Sequence, residues 1–341
     1  MELETRLKPH GDHASVTKAA RWAEDLGFKT FFASEASYEP FLPLVTAAMA
    51  TERIELGTGI AVAFGRSPYV MAKSAWYIHS ISGGRMVLGL GTQVKAHIER
   101  RYGMNWQGAG KPLAEYVDCM RELWRSWRDG DSPNYVGEFF RSNLSNPEFV
   151  PEPLPAGAGP IPVWIAAVGP ELLRHAGRVA DGVNFHAFTT PTVIRDQLMP
   201  AIEESRQKAG VTSSMRFSCS VFSGVAHDDA ELRALRDHFR DIISFYGSTP
   251  TYRNVLESLG FEDLGPRLRE LSRQREWKKM AGLVPDDLVD QMAVLGSARD
   301  VAHGIRQRYG SLLTQVSVYR GGDRFMTDDD WNTLVEVMRA P

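Results

Sequence analysis

Three titratable side chains stand where strand-like runs give way to polar loops. Glu35 follows the apolar run Thr30-Phe31-Phe32-Ala33 inside the cluster Ser34-Glu35-Ala36-Ser37, with no basic neighbour in sequence. Burial at such a place raises a carboxyl pKa and suits the group to proton transfer or to holding a cofactor's donor group. His97 comes after the run Met86–Leu90 and His186 directly after Gly182–Phe185, both at loop positions, whereas His79, His175 and His303 fall in helical patterns. Two backbone features accompany them. In Ala166-Ala-Val-Gly-Pro-Glu171, small residues and a glycine precede a proline-started helix; converging N–H groups there either dock an anion such as phosphate or make a plain tight turn. In Ser80-Ile-Ser-Gly-Gly-Arg-Met-Val-Leu-Gly-Leu-Gly-Thr-Gln93, Gly83 and Gly84 stop a helix, Gly89 packs a strand, and Gly91-Thr92-Gln93 open the following loop. The stretch has two of the three glycines of a dinucleotide fingerprint and lacks its later acidic residue.

Other chemistries lose their motifs. His97-Ile-Glu99 is not followed by Pro-Cys-x-x-Cys and no HExxH occurs, so no metal site is expected; there is no GxSxG, and Gly108-Ala-Gly-Lys111 lacks the spacing and hydroxyl of a Walker loop.

Positioning these residues requires a regular frame, and the sequence supplies one. Helical spacing over Ser15–Leu26, Pro43–Ala50, Tyr69–Ile81 and Glu171–Val179 alternates with β-prone runs. Those runs are Leu3–Leu7, Thr30–Ala33, Ile54–Ala61, Met86–Leu90, Val163–Ala166, Gly182–Phe185, Phe217–Phe222 and Gln315–Tyr319. Alternation of this kind implies parallel strands joined by right-handed crossovers, and eight strands favour a (β/α)8 TIM barrel, an α/β fold, over a doubly wound sheet. Residues 1–341 read as a single barrel domain with insertions at about 95–160 and 228–290, placed by the strand-to-helix position on the catalytic face. The first insertion contains a Trp- and Arg-rich helix over Leu113–Arg128, a hairpin near Tyr135–Phe140 and Pro151-Glu-Pro-Leu-Pro155, which cannot pair as a central strand.

Bulk properties set the class. The 341-residue chain is 43% hydrophobic and 24% charged with a formal charge of -3, which disfavours nucleic acid and membrane surfaces as partners. Cys119 and Cys219 lie outside any CxxC spacing, so neither a zinc cluster nor a disulfide framework is expected. The acidic start Met1-Glu-Leu-Glu-Thr-Arg6 and the lack of a spanning apolar run point to a cytoplasmic protein.

Taken together, Leu56-Gly-Thr-Gly-Ile60, Ser82-Gly-Gly-Arg85, Met86–Gly91, Val163-Trp-Ile-Ala-Ala-Val-Gly-Pro170 and Gly177-Arg-Val-Ala-Asp-Gly182 resemble the luciferase-like monooxygenase superfamily in order and spacing. Phe41-Leu-Pro43, Ala61–Phe64 with Arg66-Ser-Pro68, Gln93–Arg101 and Phe245-Tyr-Gly-Ser-Thr-Pro250 are similar to its coenzyme F420-dependent oxidoreductase branch. The resemblance implies a (β/α)8 barrel holding a deazaflavin, or alternatively FMN, at the carboxyl ends of the strands. It implies a non-proline cis peptide at Gly59 and Ile60 under the ring, Gly91, Thr92 and Gln93 lining ring and tail, Ala167, Val168 and Gly169 around the phosphate, and Glu35 near the ring. Sugar-phosphate dehydrogenases of the superfamily carry a histidine after that acid and a glutamate in the fourth loop; Ala36 and Val94 stand there, so sugar-phosphate oxidation is not expected.

The reading that follows is an oxidoreductase moving a hydride between F420 and a small organic substrate, with water, Glu35, His97 or His186 as proton source. One alternative is an FMN monooxygenase using O2 and a partner reductase; another is a non-catalytic ligand-binding barrel. Trp106, Phe140, Phe245, Tyr246 and Tyr252 suggest an aromatic-lined pocket. A homodimer through helices near the second and third strands is expected by resemblance.

Overall fold

Continuous apolar runs make strands that are buried on both faces, and the strands of this chain behave so: every residue of Met86–Gly91 and of Thr30–Ala33 is buried. The computed structural model describes residues 1–7 and 12–340. Eight principal strands occur in chain order: β1 Glu2–Leu7, β2 Thr30–Ala33, β3 Glu55–Thr58, β4 Met86–Gly91, β5 Val163–Ala167, β6 Gly182–Phe185, β7 Arg216–Val221 and β8 Gln315–Val318. Each is hydrogen-bonded to its sequence neighbour, β1 also pairs with β8, and β3 also pairs with β4, so the sheet closes. The fold is a (β/α)8 TIM barrel.

Two sequence expectations need correction. Ile54–Ala61 is not one strand. β3 stops at Thr58, the Gly59–Ile60 peptide is cis, and Ala61–Val62 then pairs with Leu90 and Gly91. The ladder breaks because polar groups here bond backwards to the exit of β2: Gly59 N–H donates to Ala33 O (2.8 Å) and Ser34 Oγ donates to Gly59 O (2.9 Å). Nor is the first insertion wholly on the catalytic face. Its long helix buries an apolar stripe through Leu113, Val117, Met120, Leu123 and Trp127 against barrel helices, which makes it part of the outer layer.

By packing, the chain divides into two compact units. The larger comprises residues 4–184 and 201–216. In it α1 His13–Asp25, α2 Phe41–Ala50, α3 Pro68–Ile81, the short α4 Lys95–Arg100, α5 Gly110–Asp129 and α6 Pro170–Val179 accompany the strands, and α1 to α3, α5 and α6 pack in succession. Phe32, Val87 and Trp164 form a buried cluster. The turn Ser82-Gly-Gly-Arg85 has the left-handed glycines its sequence demands (φ 67° and 94°). Arg85 then ties the α2–β3 connection down, donating to the carbonyls of Ala48, Thr51 and Ile54 and to Thr51 Oγ1. The smaller unit comprises residues 1–3, 185–200 and 217–341 and holds most of the second insertion as helices, the longest being Asp229–Gly247. Cys119 and Cys219 are both buried, and among the described residues no helix is long and apolar enough to cross a membrane.

Candidate functional site

In the larger unit, the strand ends converge on the break after β3. Ser34 and Glu35, the first two residues past β2, bracket it: besides the Ser34 bond, Glu35 N–H donates to Ile60 O (3.2 Å) and Glu35 Oε2 accepts from Val62 N–H (2.8 Å). The same oxygen accepts from Arg66 Nη1 (2.8 Å), and Oε1 accepts from the Tyr102 hydroxyl (2.8 Å). Arg66 reaches on to Glu39 (3.1 Å), and its carbonyl accepts from Tyr116 (3.1 Å). Glu35 thus gains through the fold the basic neighbour it lacks in sequence, and both its oxygens are engaged by donors. Burial alone lowers the Arg66 pKa, but the bond and charge of Glu35, with Glu39, outweigh it and raise the guanidinium above its ordinary value. Burial and the Glu35 bond push the Tyr102 phenol up to about 12. Glu35 is therefore a hydrogen-bonded brace for residues 59–62.

Glycines let β4 approach that brace. A Cβ on Gly91 would lie 2.8 Å from Ile60 Cδ1, and one on Gly89 would lie 2.0 Å from the Thr58 carbonyl oxygen. Gly89 packs its strand as the sequence suggests. Gln93 takes a left-handed backbone (φ 56°), and its side-chain oxygen accepts from His97 Nδ1 (3.0 Å), which orients the half-buried His97 ring from α4. Thr92 is buried between these positions, its hydroxyl donating to Gln93 O (3.1 Å). At the end of β5, Ala167 and Val168 lead to Gly169, the N-cap of α6; no side chain caps this helix, and a Cβ on Gly169 would meet nothing within 4 Å. The open N–H groups of the first turn and the free space fit a phosphate.

The smaller unit places His186 differently. Its Nδ1 accepts from Phe188 N–H (3.0 Å), so the ring proton sits on Nε2. Tyr252 stacks on the ring at 4.7 Å and Tyr246 meets it edge-on at 4.8 Å. Burial pulls its pKa down to about 4, leaving a neutral N–H donor at neutral pH. Beside it, the hydroxyls of Tyr246 and Tyr319 are bonded at 3.0 Å.

Of the sequence candidates, Glu35, Gly59, Ile60, Gly91, Thr92, Gln93, His97, Ala167, Val168 and Gly169 belong to the larger unit, and His186 to the smaller. The expected aromatic wall divides likewise: Trp106 packs on Phe64 and Phe140 on Tyr116 in the larger unit, while Phe245, Tyr246 and Tyr252 cluster in the smaller. Sequence reasoning missed Ser34 and Tyr102 and gave Arg66 no role in the site; the polar run at 34–37 was the available signal. Among the described residues no group of three or more His, Cys, Asp or Glu is placed to hold a metal.

The model of the luciferase-like monooxygenase family matches residues 3–315. The chain belongs to the luciferase-like monooxygenase family. Within this family it is 40% identical over 305 residues to an uncharacterized protein of Mycobacterium tuberculosis strain H37Rv, covering 89% of each chain. It is 30% identical over 325 residues to the 5,10-methylenetetrahydromethanopterin reductase of Archaeoglobus fulgidus, covering 93% of this chain and 92% of that one. The solved coenzyme F420-dependent tetrahydromethanopterin reductase of Methanopyrus kandleri superposes with a TM-score of 0.78 at 21% identity, covering 98% of this chain and 97% of that one. Luciferase-like relatives of this kind support an oxidoreductase.

Proposed function

We propose that the chain is a deazaflavin-dependent oxidoreductase that moves a hydride between coenzyme F420 and an organic substrate. The observation that carries this reading is the amino end of α6, uncapped and facing open space at Gly169, on the same strand ends as the braced 59–62 segment. Similarity to a putative coenzyme F420-dependent oxidoreductase of M. tuberculosis, 27% identical and covering 88% of this chain, favours the deazaflavin over FMN.

A deazaflavin supplies hydride transfer at a ring carbon. The chain's residues bind and orient. Ala167, Val168 and Gly169 with the first turn of α6 hold the phosphate by backbone N–H groups. Glu35, Ser34 and Arg66 fix residues 59–62, and Gly91–Gln93 complete that wall. Glu35, occupied by three donors, is a positioning residue on this reading. His97, oriented by its Nδ1–H bond to Gln93, is the group of this unit that exchanges a proton, at Nε2.

Titration of the purified protein with F420 and with FMN tests the proposal. Micromolar F420 binding with weaker FMN binding is expected; selective FMN binding overturns it in favour of an oxygen-using enzyme with a partner reductase, and no binding of either in favour of a non-catalytic barrel. Gly169→Asp places a carboxylate at the helix end where the dipole favours an anion, and is expected to weaken F420 at least tenfold (about 1.4 kcal/mol or more) without changing thermal stability. Unchanged affinity would remove α6 from the site.

A homodimer is part of the same proposal. α2 and α3 pack side by side and leave Leu42, Met49, Val70 and Tyr77 exposed, apolar surface of the kind that marks an interface. Light scattering should give twice the 38.0 kDa chain mass, and Met49→Glu with Tyr77→Glu should give the monomer; a wild-type monomer refutes the pairing.

A further inference from the structure

The larger unit has a second concavity that none of this chemistry uses. It encloses about 830 Å³, within the size range of small-molecule sites. Its wall includes Trp164, the second residue of β5, Asp181, just before β6, and Arg216, the first residue of β7. It therefore lies at the amino-terminal ends of the strands, opposite Glu35, Gly91 and Gly169. The remaining wall is α5, the Trp76 side of α3, and the proline-rich segment 153–162. That segment is fastened to α3, Trp76 Nε1 donating to Glu152 O (3.0 Å) and His79 Nε2 to Gly159 O (2.9 Å), so the concavity has a tied outer wall.

The lining combines flat apolar faces with guanidinium groups. Trp76 and Trp124 spend their N–H groups on Glu152 O and Ala72 O, so what they contribute to the lining is apolar. Trp164 is buried, its indole N–H has no acceptor among the described residues, and Arg216 lies over its ring at 4.9 Å while forked onto Glu55. Arg121, Arg125 and Arg128 of α5 join Arg216 in the lining, whose own carboxylate is Asp181; Arg125 is already paired with Glu122, Asp129 and Asp131. Arg121 gives one N–H to Asp181 (2.9 Å), and Arg128 pairs, among the described residues, with its neighbour Asp129, so both keep donors in hand. Exposed pairs of that kind exchange readily for a better acceptor.

We propose that this concavity is a ligand site for a small planar aromatic anion, its ring held between the tryptophan and proline faces and its carboxylate, sulfonate or phosphate met by Arg121 and Arg128. Ring and charge both enter the recognition. A neutral ring leaves the guanidinium groups unused, and a cation is repelled by them.

Calorimetry on the full chain with 2-naphthoate, 2-naphthalenemethanol and 2-naphthylmethylamine tests it, with tryptophan fluorescence as second readout. Binding of naphthoate at submillimolar concentration is expected, at least tenfold weaker for the alcohol and weaker still for the amine. Arg121→Gln with Arg128→Gln, both exposed positions, should cost naphthoate at least fivefold and leave the alcohol unchanged. Gly159→Phe should abolish binding, since a Cβ there meets nothing within 4 Å and the ring can occupy the cavity. Equal affinity for the three probes, no naphthoate binding at millimolar concentration, or naphthoate binding that survives both variants overturns the proposal. The double arginine variant keeps it falsifiable if Gly159→Phe fails to fold.

Discussion

Around Glu35 and around His186 the chain solves the same problem, fixing a titratable side chain, by opposite means. Glu35 is fixed by direction: a backbone N–H, a guanidinium and a phenol all point at its two oxygens. His186 is fixed by enclosure: two tyrosine rings pack on it, one backbone N–H sets its tautomer, and it stays neutral. The difference follows from the local backbone. Where a strand breaks, as after Thr58, peptide groups lose ladder partners and need polar side chains to satisfy them. Past Phe185 the chain leaves β6 among aromatic residues, and desolvation does the fixing. Substitutions should therefore hurt unequally, most where a charge would be left behind.

Glu35→Ala is expected to give the largest effect. It strips an acceptor from Val62, Arg66 and Tyr102 together, and leaves a guanidinium whose side chain is 15% exposed with Glu39 as its remaining carboxylate. Breaking a buried pair costs about 3 to 5 kcal/mol; the partial exposure of Glu39 and its surviving bond place the expected loss near the lower limit, about 3 kcal/mol. Urea denaturation measures it, and Glu35→Gln, whose single amide oxygen keeps an acceptor either for Val62 and Arg66 or for Tyr102, should recover part. A loss under about 1 kcal/mol would mean that the cluster is no more than a surface network and that the contrast with His186 is wrong.

How much of this was legible beforehand depends on sequence distance. The barrel was readable because a buried strand is a short apolar run, a covering helix is an apolar stripe, and Gly83 and Gly84 announce a stop that only positive φ can make. Gly91 and Gly169 were readable as loop openings by their place after strands. The brace was not, since Glu35 meets Arg66 and Tyr102 across 31 and 67 residues, and no local pattern encodes a partner that far away. The break inside the expected strand Ile54–Ala61 was not legible in its own residues for the same reason, since Ser34 lies on another strand's exit; only the family resemblance placed a cis peptide at Gly59 and Ile60, where the structure has it. Gly91 ties the legible part to the hidden part. Gly91→Ala puts a methyl 2.8 Å from Ile60 Cδ1, and overpacking of this kind costs about 1 to 3 kcal/mol. The lower half of that range is expected, since a side chain can shift, together with at least fivefold weaker cofactor binding. A stable variant with unchanged F420 affinity would separate Ile60 from the site.

The most gradual effect is expected from pH, spread over more than two units, and it bears on the enclosed half of the comparison. An unfolded histidine titrates near 6.5, whereas His186 in the fold titrates at about 4, so between these values the unfolded chain binds a proton that the native one refuses. Stability contributed by the neutral ring is fully present above pH 6.5 and is lost as pH falls toward 4, at up to about 1.4 kcal/mol per pH unit for this one group. His227 in the same unit runs the other way. Its bonds to Glu231 and Asp330 raise its pKa, so its contribution is present below pH 6.5 and lost as pH rises through the folded value. Nitrogen-15 spectra at pH 5.5 should thus show His186 neutral with its proton on Nε2 and His227 protonated. Denaturation of wild type and His186→Phe from pH 7 to 4.5 should show the steeper acid loss in wild type. A His186 that titrates near 6.5 in the native protein would mean that water reaches the ring and that enclosure does not fix it, leaving the bond from Phe188 N–H as the only constraint on the imidazole.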